Sequence, residues 1–251
     1  MRKTALNRGF LFRARVIVAR KMIGKLHFAT AGIFCLPFAL ALFAGAPQAV
    51  ELSAVLLLGV LIGVLLPDSD ISEAHIFKSR FKAAGLATRY VLFLPIATIL
   101  YLAGFKEARL HRGVMHSLIG ALAAVAFWGF IALGVSKYGG LDIAYAIAFT
   151  AGIAGGYLLH LFEDSLTAMG VRWLYPKRWL LKGSVSTAYH EPGRKHFLQS
   201  QFFAALLFVV AGVANGFAVL FAGMQASGLA LVSVFELLLI AGVMRVETES
   251  G

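Results

Sequence analysis

Long apolar runs dominate this chain and leave it few ways to fold. Runs at residues 28–43, 50–66, 114–135, 143–162, 197–222 and 228–244 approach or exceed the span of one bilayer-crossing helix, which needs roughly 17–25 apolar residues. Hydrophobic residues make up 60% of the 251, against roughly 45–50% in an ordinary soluble domain. Inside a bilayer the backbone must satisfy its own hydrogen bonds, so such runs are read as helices. The expected fold class is all-α: a polytopic membrane helical bundle, with about six spans plus one re-entrant or surface apolar segment.

That extra segment is residues 90–105, which is shorter and carries Pro95. A proline inside a helix removes a backbone donor and breaks or kinks the rod. Charge decides how to place it. If residues 90–105 do not cross, every lysine and arginine except Lys137 falls on the N-terminal side of the membrane. If they do cross, Lys106, Arg109, Arg112, the basic residues of 163–196 and Arg245 move to the opposite side. The positive-inside rule favours the first arrangement. Residues 90–105 are therefore expected to enter and leave on one face, with the N-terminus cytoplasmic and the protein in the inner (plasma) membrane.

The formal charge of +11 would suggest nucleic acid in a soluble protein. In a membrane protein it reports topology and contact with anionic lipid instead. The expected partners are thus membrane lipid and no nucleic acid. Residues 1–26 read as a basic cytoplasmic arm, 27–196 as the membrane-embedded core, and 197–251 as a helical hairpin with a tail. The single cysteine, Cys35, excludes an intrachain disulfide and any cysteine zinc cluster.

Four polar islands interrupt the apolar pattern. They are His27, Pro67-Asp68-Ser69-Asp70, His111 to Ser117, and His160 to Asp164. Each lies at or near the end of an apolar run, and ionisable groups are kept at a bilayer chiefly for function. Under the six-span topology all four share one face. His160 and Asp164 are four residues apart, and Glu163 is three from His160, so the three share one helical side. Asp68 and Asp70 would point the same way from an extended turn. His111 and His116 flank a helix start that Ser117 or the backbone at Arg112 could cap. His75, His190 with Glu191, and His196 are less well placed, and Glu236 sits within the last run. Imidazole and carboxylate are the ligands that zinc, manganese and iron prefer. The run Gly152-Ile153-Ala154-Gly155-Gly156 suits close helix packing. No serine-nucleophile elbow, P-loop or dinucleotide fingerprint occurs.

Taken in order, Leu65-Leu66-Pro67-Asp68-Ser69-Asp70, His111-Arg112-Gly113-Val114-Met115-His116-Ser117, Gly156-Tyr157-Leu158-Leu159-His160-Leu161-Phe162-Glu163-Asp164-Ser165-Leu166-Thr167, Gly170 and Trp173-Leu174-Tyr175-Pro176 resemble the YdjM-type family. That family is described as inner-membrane-associated metal-dependent hydrolases, also called LexA-binding. The resemblance covers about residues 25–182. It implies a site made of Asp68, Asp70, His111, His116, His160 and Asp164, with His27 matching an early family histidine. Three positions depart from the family pattern: Ile71 stands where histidine is usual, Met115 where threonine is, and Leu26 where glycine is. The apolar stretch 90–105 is also longer than expected between these motifs.

Together these readings give a membrane-embedded hydrolase using one or two divalent ions, zinc or manganese. The expected metal ligands are His27, Asp68, His111, His116, His160 and Asp164. Asp70 and Glu163 would act as general base or orient the ligands, and Arg112 would hold an anionic substrate. The substrate would be an amphiphilic phosphoester or lipid at the cytoplasmic face. The alternative is a non-enzymatic membrane protein for metal binding, transport or regulation.

Overall fold

The computed structural model describes residues 26–44, 47–109, 111–185, 194–222, 224–242 and 244–248. The basic arm, apart from Leu26, and the His190-Glu191 pair lie outside them. The described chain is an all-α membrane bundle. Its helices are α1 (Leu26–Leu42), α2 (Ala49–Gly63), α3 (Lys82–Leu102), α4 (Leu118–Gly139), α5 (Ile143–Ser165), α6 (Arg194–Ala222) and α7 (Ala226–Ala241). By length and composition, five helical stretches can cross a membrane: Ala49–Asp70, Lys82–Leu102, Leu118–Gly139, Ile143–Ser165 and Phe202–Leu220. Helices α1 and α7 are shorter and equally apolar in character.

Local chemistry sets the helix ends. Ser117, in an extended conformation, caps α4 by accepting from the Gly120 amide at 3.3 Å, the usual service of an N-cap hydroxyl. Gly140 ends α4 in the left-handed region at φ 66°, where glycine carries no Cβ penalty. The Asp142 side chain then caps α5 through the Ala144 amide at 2.9 Å. The expected span 114–135 is thus shifted. Residues 114–116 form a separate 3-10 turn, and the helix proper begins at Leu118.

The core of the bundle is the crossing of α2 and α5. A Cβ on Gly59 or Gly63 would lie 2.3 or 2.4 Å from the carbonyl oxygens of Phe149 and Ile153. A Cβ on Gly152 or Gly156 would lie 2.1 or 2.2 Å from those of Leu56 and Val60. Small residues let two backbones approach closely in a membrane, where packing rather than water drives association. The consequence is positional. The C-terminal end of α5 is brought against residues 64–70, where α2 gives way to a 3-10 turn at Pro67–Asp70. Asp68 and Asp70 therefore project from a tight turn, not from the extended one that the sequence suggested.

Residues 82–102 form one continuous helix despite Pro95. A π-turn over Thr88–Phe93 precedes the proline, and the Leu94 amide reaches back to the Arg89 carbonyl. The wide turn absorbs the proline rather than breaking the rod. By length and composition α3 can cross a membrane, and the residues that flank it make specific contacts. Phe81 stacks on Phe28, beside His27, with ring centroids 6.3 Å apart. At the other end Phe105 meets Tyr175 at 6.5 Å and Glu107 pairs with Arg172. Between them Trp128, well inside α4, donates to Thr88 at 3.0 Å. The residues flanking α3 at both ends thus contact segments that adjoin the polar islands, while α3 itself has the length and apolar composition of a span.

Two short strands complete the fold. β1 (Trp179–Lys182) pairs antiparallel with β2 (Arg245–Thr248), with Lys182 opposite Arg245. Lys182 also pairs with Glu247 at 2.6 Å. The C-terminal tail is thereby fastened to the core, an exchange that apolar periodicity could not reveal. The loop after α5 is held in turn: Val171 and Leu181 exchange backbone hydrogen bonds of 2.9 and 3.0 Å, and Trp173 O accepts from the Leu118 amide at 2.9 Å.

Candidate metal centre

All four polar islands meet at this face. His27 comes from the first turn of α1, and Asp68 and Asp70 come from the turn after α2. His111, Arg112 and His116 come from the segment before α4, and His160, Glu163 and Asp164 from the last turns of α5. The nine residues expected from the sequence form one cluster. His75 stands apart, with its ring against Phe28 at 6.4 Å.

The imidazoles run in succession. Ring centroids are 4.8 Å apart from His111 to His116, 5.3 Å from His116 to His160, and 4.6 Å from His160 to His27. Three of them have one nitrogen held by an oxygen acceptor. His160 Nδ1 donates to the Val64 carbonyl at 2.7 Å. His111 Nδ1 lies 3.1 Å from both carboxylate oxygens of Asp70. His27 Nδ1 bonds Glu163, whose other oxygen accepts from the Thr30 hydroxyl at 2.6 Å. A proton placed on Nδ1 in this way leaves Nε2 as a lone pair, the form in which imidazole binds a metal.

The Nε2 atoms of His27, His160 and His116, the last with neither ring nitrogen hydrogen-bonded, face carboxylates at distances too long for hydrogen bonds. His27 Nε2 lies 3.6 Å from Asp164 Oδ1. His116 Nε2 lies 3.5 Å from both Asp68 Oδ1 and Asp164 Oδ2. His160 Nε2 lies 3.9 Å from Asp68 Oδ1 and 3.7 Å from Asp164 Oδ2. The Nε2 atoms of His27, His116 and His160 are buried and have no hydrogen-bond partner, a costly state for a polar atom. Zinc–ligand bonds of about 2.0–2.2 Å place tetrahedral donors roughly 3.3–3.6 Å apart. The residues therefore fit a divalent transition metal in donor type, spacing and protonation. Two trios have donor atoms within 4.8 Å of one another: His27, His160 and Asp164, and Asp68, His111 and His116.

Arg112 has a different place from the one expected of a substrate clamp. Its guanidinium donates to Asp164 Oδ1 at 2.7 Å, to Thr167 Oγ1 at 2.9 Å and to the Gly170 carbonyl at 2.9 Å. Its backbone lies in the left-handed region at φ 65°, strained for a residue with a Cβ. The side chain thus spans from the cluster to the loop after α5. Thr167 completes this bridge, and its hydroxyl also donates to Asp164 O at 2.7 Å.

Sequence reasoning missed three supporting groups. Thr30 lies three residues after His27 on the same face of α1, a spacing that could have marked it. Tyr157, three before His160, donates its hydroxyl to Met115 O and so anchors the turn that carries His116. The Val64 carbonyl has no side-chain signal at all.

Burial is uneven across the cluster. His27, His116, His160, Glu163 and Asp164 are buried, whereas the side chains of Asp68 and His111 are 18% and 16% exposed. A cleft of about 160 Å³ opens beside His111, lined by Glu107, Arg112, Met169, Gly170 and Arg172 among others. For His111, burial disfavours the charged ring, but the adjacent Asp70 carboxylate outweighs it and raises the pKa above the ordinary 6.5.

The sequence model of the family described as YdjM inner membrane protein matches residues 22–247, nearly the whole described chain. The protein belongs to this family. No curated protein and no solved structure matches the chain.

Proposed function

We propose that this protein is a membrane-embedded metal-dependent hydrolase acting on a phosphoester-bearing amphiphile at the headgroup level of the inner membrane, with its N-terminus cytoplasmic. The observation that carries this reading is the convergence of three buried, unpartnered imidazole nitrogens on the carboxylates of Asp68 and Asp164. A set of lone pairs and anions at such spacing suits a cation far better than it suits bare protein.

His27, Asp68, His111, His116, His160 and Asp164 would hold zinc or manganese. A bound divalent ion supplies an activated water near neutral pH and polarises the scissile phosphoryl group. Glu163 and Asp70 act as positioning residues, because each carboxylate already holds an imidazole through Nδ1. Arg112 keeps the Asp164 carboxylate turned inward. Substrate and water would reach the partly exposed His111, and Asp68 beyond it, through the cleft, where the Arg172 guanidinium pairs with Glu107. The apolar surroundings of the helices suit a substrate whose tail stays in the bilayer.

The test is turnover of phosphomonoester and phosphodiester lipids in mixed micelles by purified protein loaded with Mn²⁺ or Zn²⁺. Loss of at least about 100-fold in His160→Ala and Asp164→Ala, and reversible loss with chelator, is expected for groups that hold the catalytic ion. Turnover that survives both substitutions, or none with any metal, overturns the reading.

A further inference from the structure

Resting on that metal-hydrolase reading, we infer that the centre is built for two ions: a closed inner one held by His27, His160 and Asp164, and an outer one held by Asp68, His111 and His116 that opens on the cleft.

The number of donors is the first argument. Six side chains offer ligand atoms, whereas a catalytic zinc takes three from the protein and keeps a position open. The six divide into two trios, each compact within 4.8 Å. The second argument is how the trios join. Asp164 Oδ1 faces His27 Nε2 at 3.6 Å while its Oδ2 faces His116 Nε2 at 3.5 Å. Asp68 Oδ1 faces both His116 Nε2 at 3.5 Å and His160 Nε2 at 3.9 Å. Each carboxylate therefore lies between an imidazole of one trio and an imidazole of the other, the position of a bridging ligand. Two-metal hydrolytic sites hold their ions about 3.5–4 Å apart and clamp both oxygens of a displacement.

The third argument is the difference in surroundings. The inner trio is buried throughout, and its flanking groups Glu163 and Thr30 are buried too. The outer trio has its exposed edge at His111 and Asp68, and the cleft begins at His111. The inner ion should exchange slowly and the outer one quickly.

Purified full-length protein in detergent is loaded with Mn²⁺, desalted and assayed for metal per chain. Two ions per chain are expected in the wild type, and one in each of His27→Ala and His111→Ala. Removal by a soluble chelator should be biphasic in the wild type, with about half the metal leaving in a fast phase. His111→Ala should keep only the slow phase. One ion per chain, or single-phase release from the wild type, overturns the two-ion centre and leaves a one-ion hydrolase standing. No bound metal in any protein overturns the hydrolase reading itself. If a variant aggregates on size exclusion, the release kinetics of the wild type decide alone.

Discussion

His160 donates its Nδ1 proton to the backbone carbonyl of Val64, 2.7 Å away, and so ties a candidate ligand on α5 to the C-cap of α2. The bond exists because the glycines of the two helices let their backbones touch. A Cβ on Gly156 would lie 2.2 Å from Val60 O, whereas one on Gly155 would meet nothing within 4 Å. Gly156→Ala should therefore cost about 1–3 kcal/mol through overpacking and lower metal retention, while Gly155→Ala leaves both unchanged. Thermal unfolding in detergent and metal content, measured side by side, check the pair. Equal behaviour of the two variants would refute the link between the crossing and the site.

Much of this cluster was legible in the sequence because imidazoles and carboxylates stand out so sharply at the ends of apolar runs. Histidines and acids at the ends of apolar runs, together with the lysine and arginine distribution, bring the same nine residues together as the structure does. What the sequence could not provide is direction. Whether Glu163 faces a reacting water or the ring of His27 depends on the rotation of α5 against α1, and no linear pattern encodes that. The engagement of Arg112 with Asp164, Thr167 and Gly170 likewise depends on how the loop after α5 folds back through the Val171–Leu181 bridge. The pairing of β1 with β2 joins segments far apart in a chain whose apolar runs conceal both.

Glu163 offers a direct test of positioning. Its carboxylate bonds His27 Nδ1 and accepts from Thr30, and losing such a partner typically costs 10–100-fold in metal affinity. Glu163→Gln should weaken metal binding by about that factor while the protein stays folded, since the amide still accepts from Thr30. Thr30→Val should give a smaller loss in the same direction. Competition titrations with a coloured chelator measure both. Undiminished affinity in Glu163→Gln would remove the carboxylate from its orienting role.

Arg112 can be assigned by separating kcat from KM. A residue that holds Asp164 in place should, when changed to lysine, lower kcat by about tenfold or more with little change in KM. A residue that grips the substrate anion should instead raise KM. Arg112→Gly adds a structural control: glycine is at ease at φ 65°, so its stability loss should be partly offset by relief of backbone strain of about 1 kcal/mol. Greater instability in the glycine variant than in Arg112→Ala, which equally lacks the guanidinium, would argue against strain at this position.

Metal uptake should depend on pH through His111. Asp70 raises the pKa of this ring despite its burial, so in the metal-free protein the ring keeps its proton to higher pH than an ordinary histidine. An ion must displace that proton. Apparent affinity should thus rise with pH up to the raised pKa and level off above it. Asp70→Asn removes the raising charge and should shift the plateau to lower pH. Calorimetric titration of metal-free protein across pH 6–9 tests this, and a flat profile in the wild type would contradict it.

The course of α3 makes the last prediction. Its flanks contact Phe28, next to His27, at one end and Tyr175 and Arg172, in the loop after α5, at the other. A helix of this length is about 30 Å long, so standing across the membrane it would carry its ends to opposite faces, whereas lying along the surface it would keep both on one. Cysteines introduced singly at Lys82 and Lys106, in a background with Cys35→Ala, should both react with a membrane-impermeant thiol reagent from the same side. A cysteine at Lys137, in the last turn of α4, should react only from the other side. The three positions are exposed, so failure to label reports sidedness rather than burial. Labelling of Lys82→Cys and Lys106→Cys from opposite sides would make α3 a true span. It would also place the basic residues that follow it across the membrane from Asp68 and Asp70, which contradicts the assembled site.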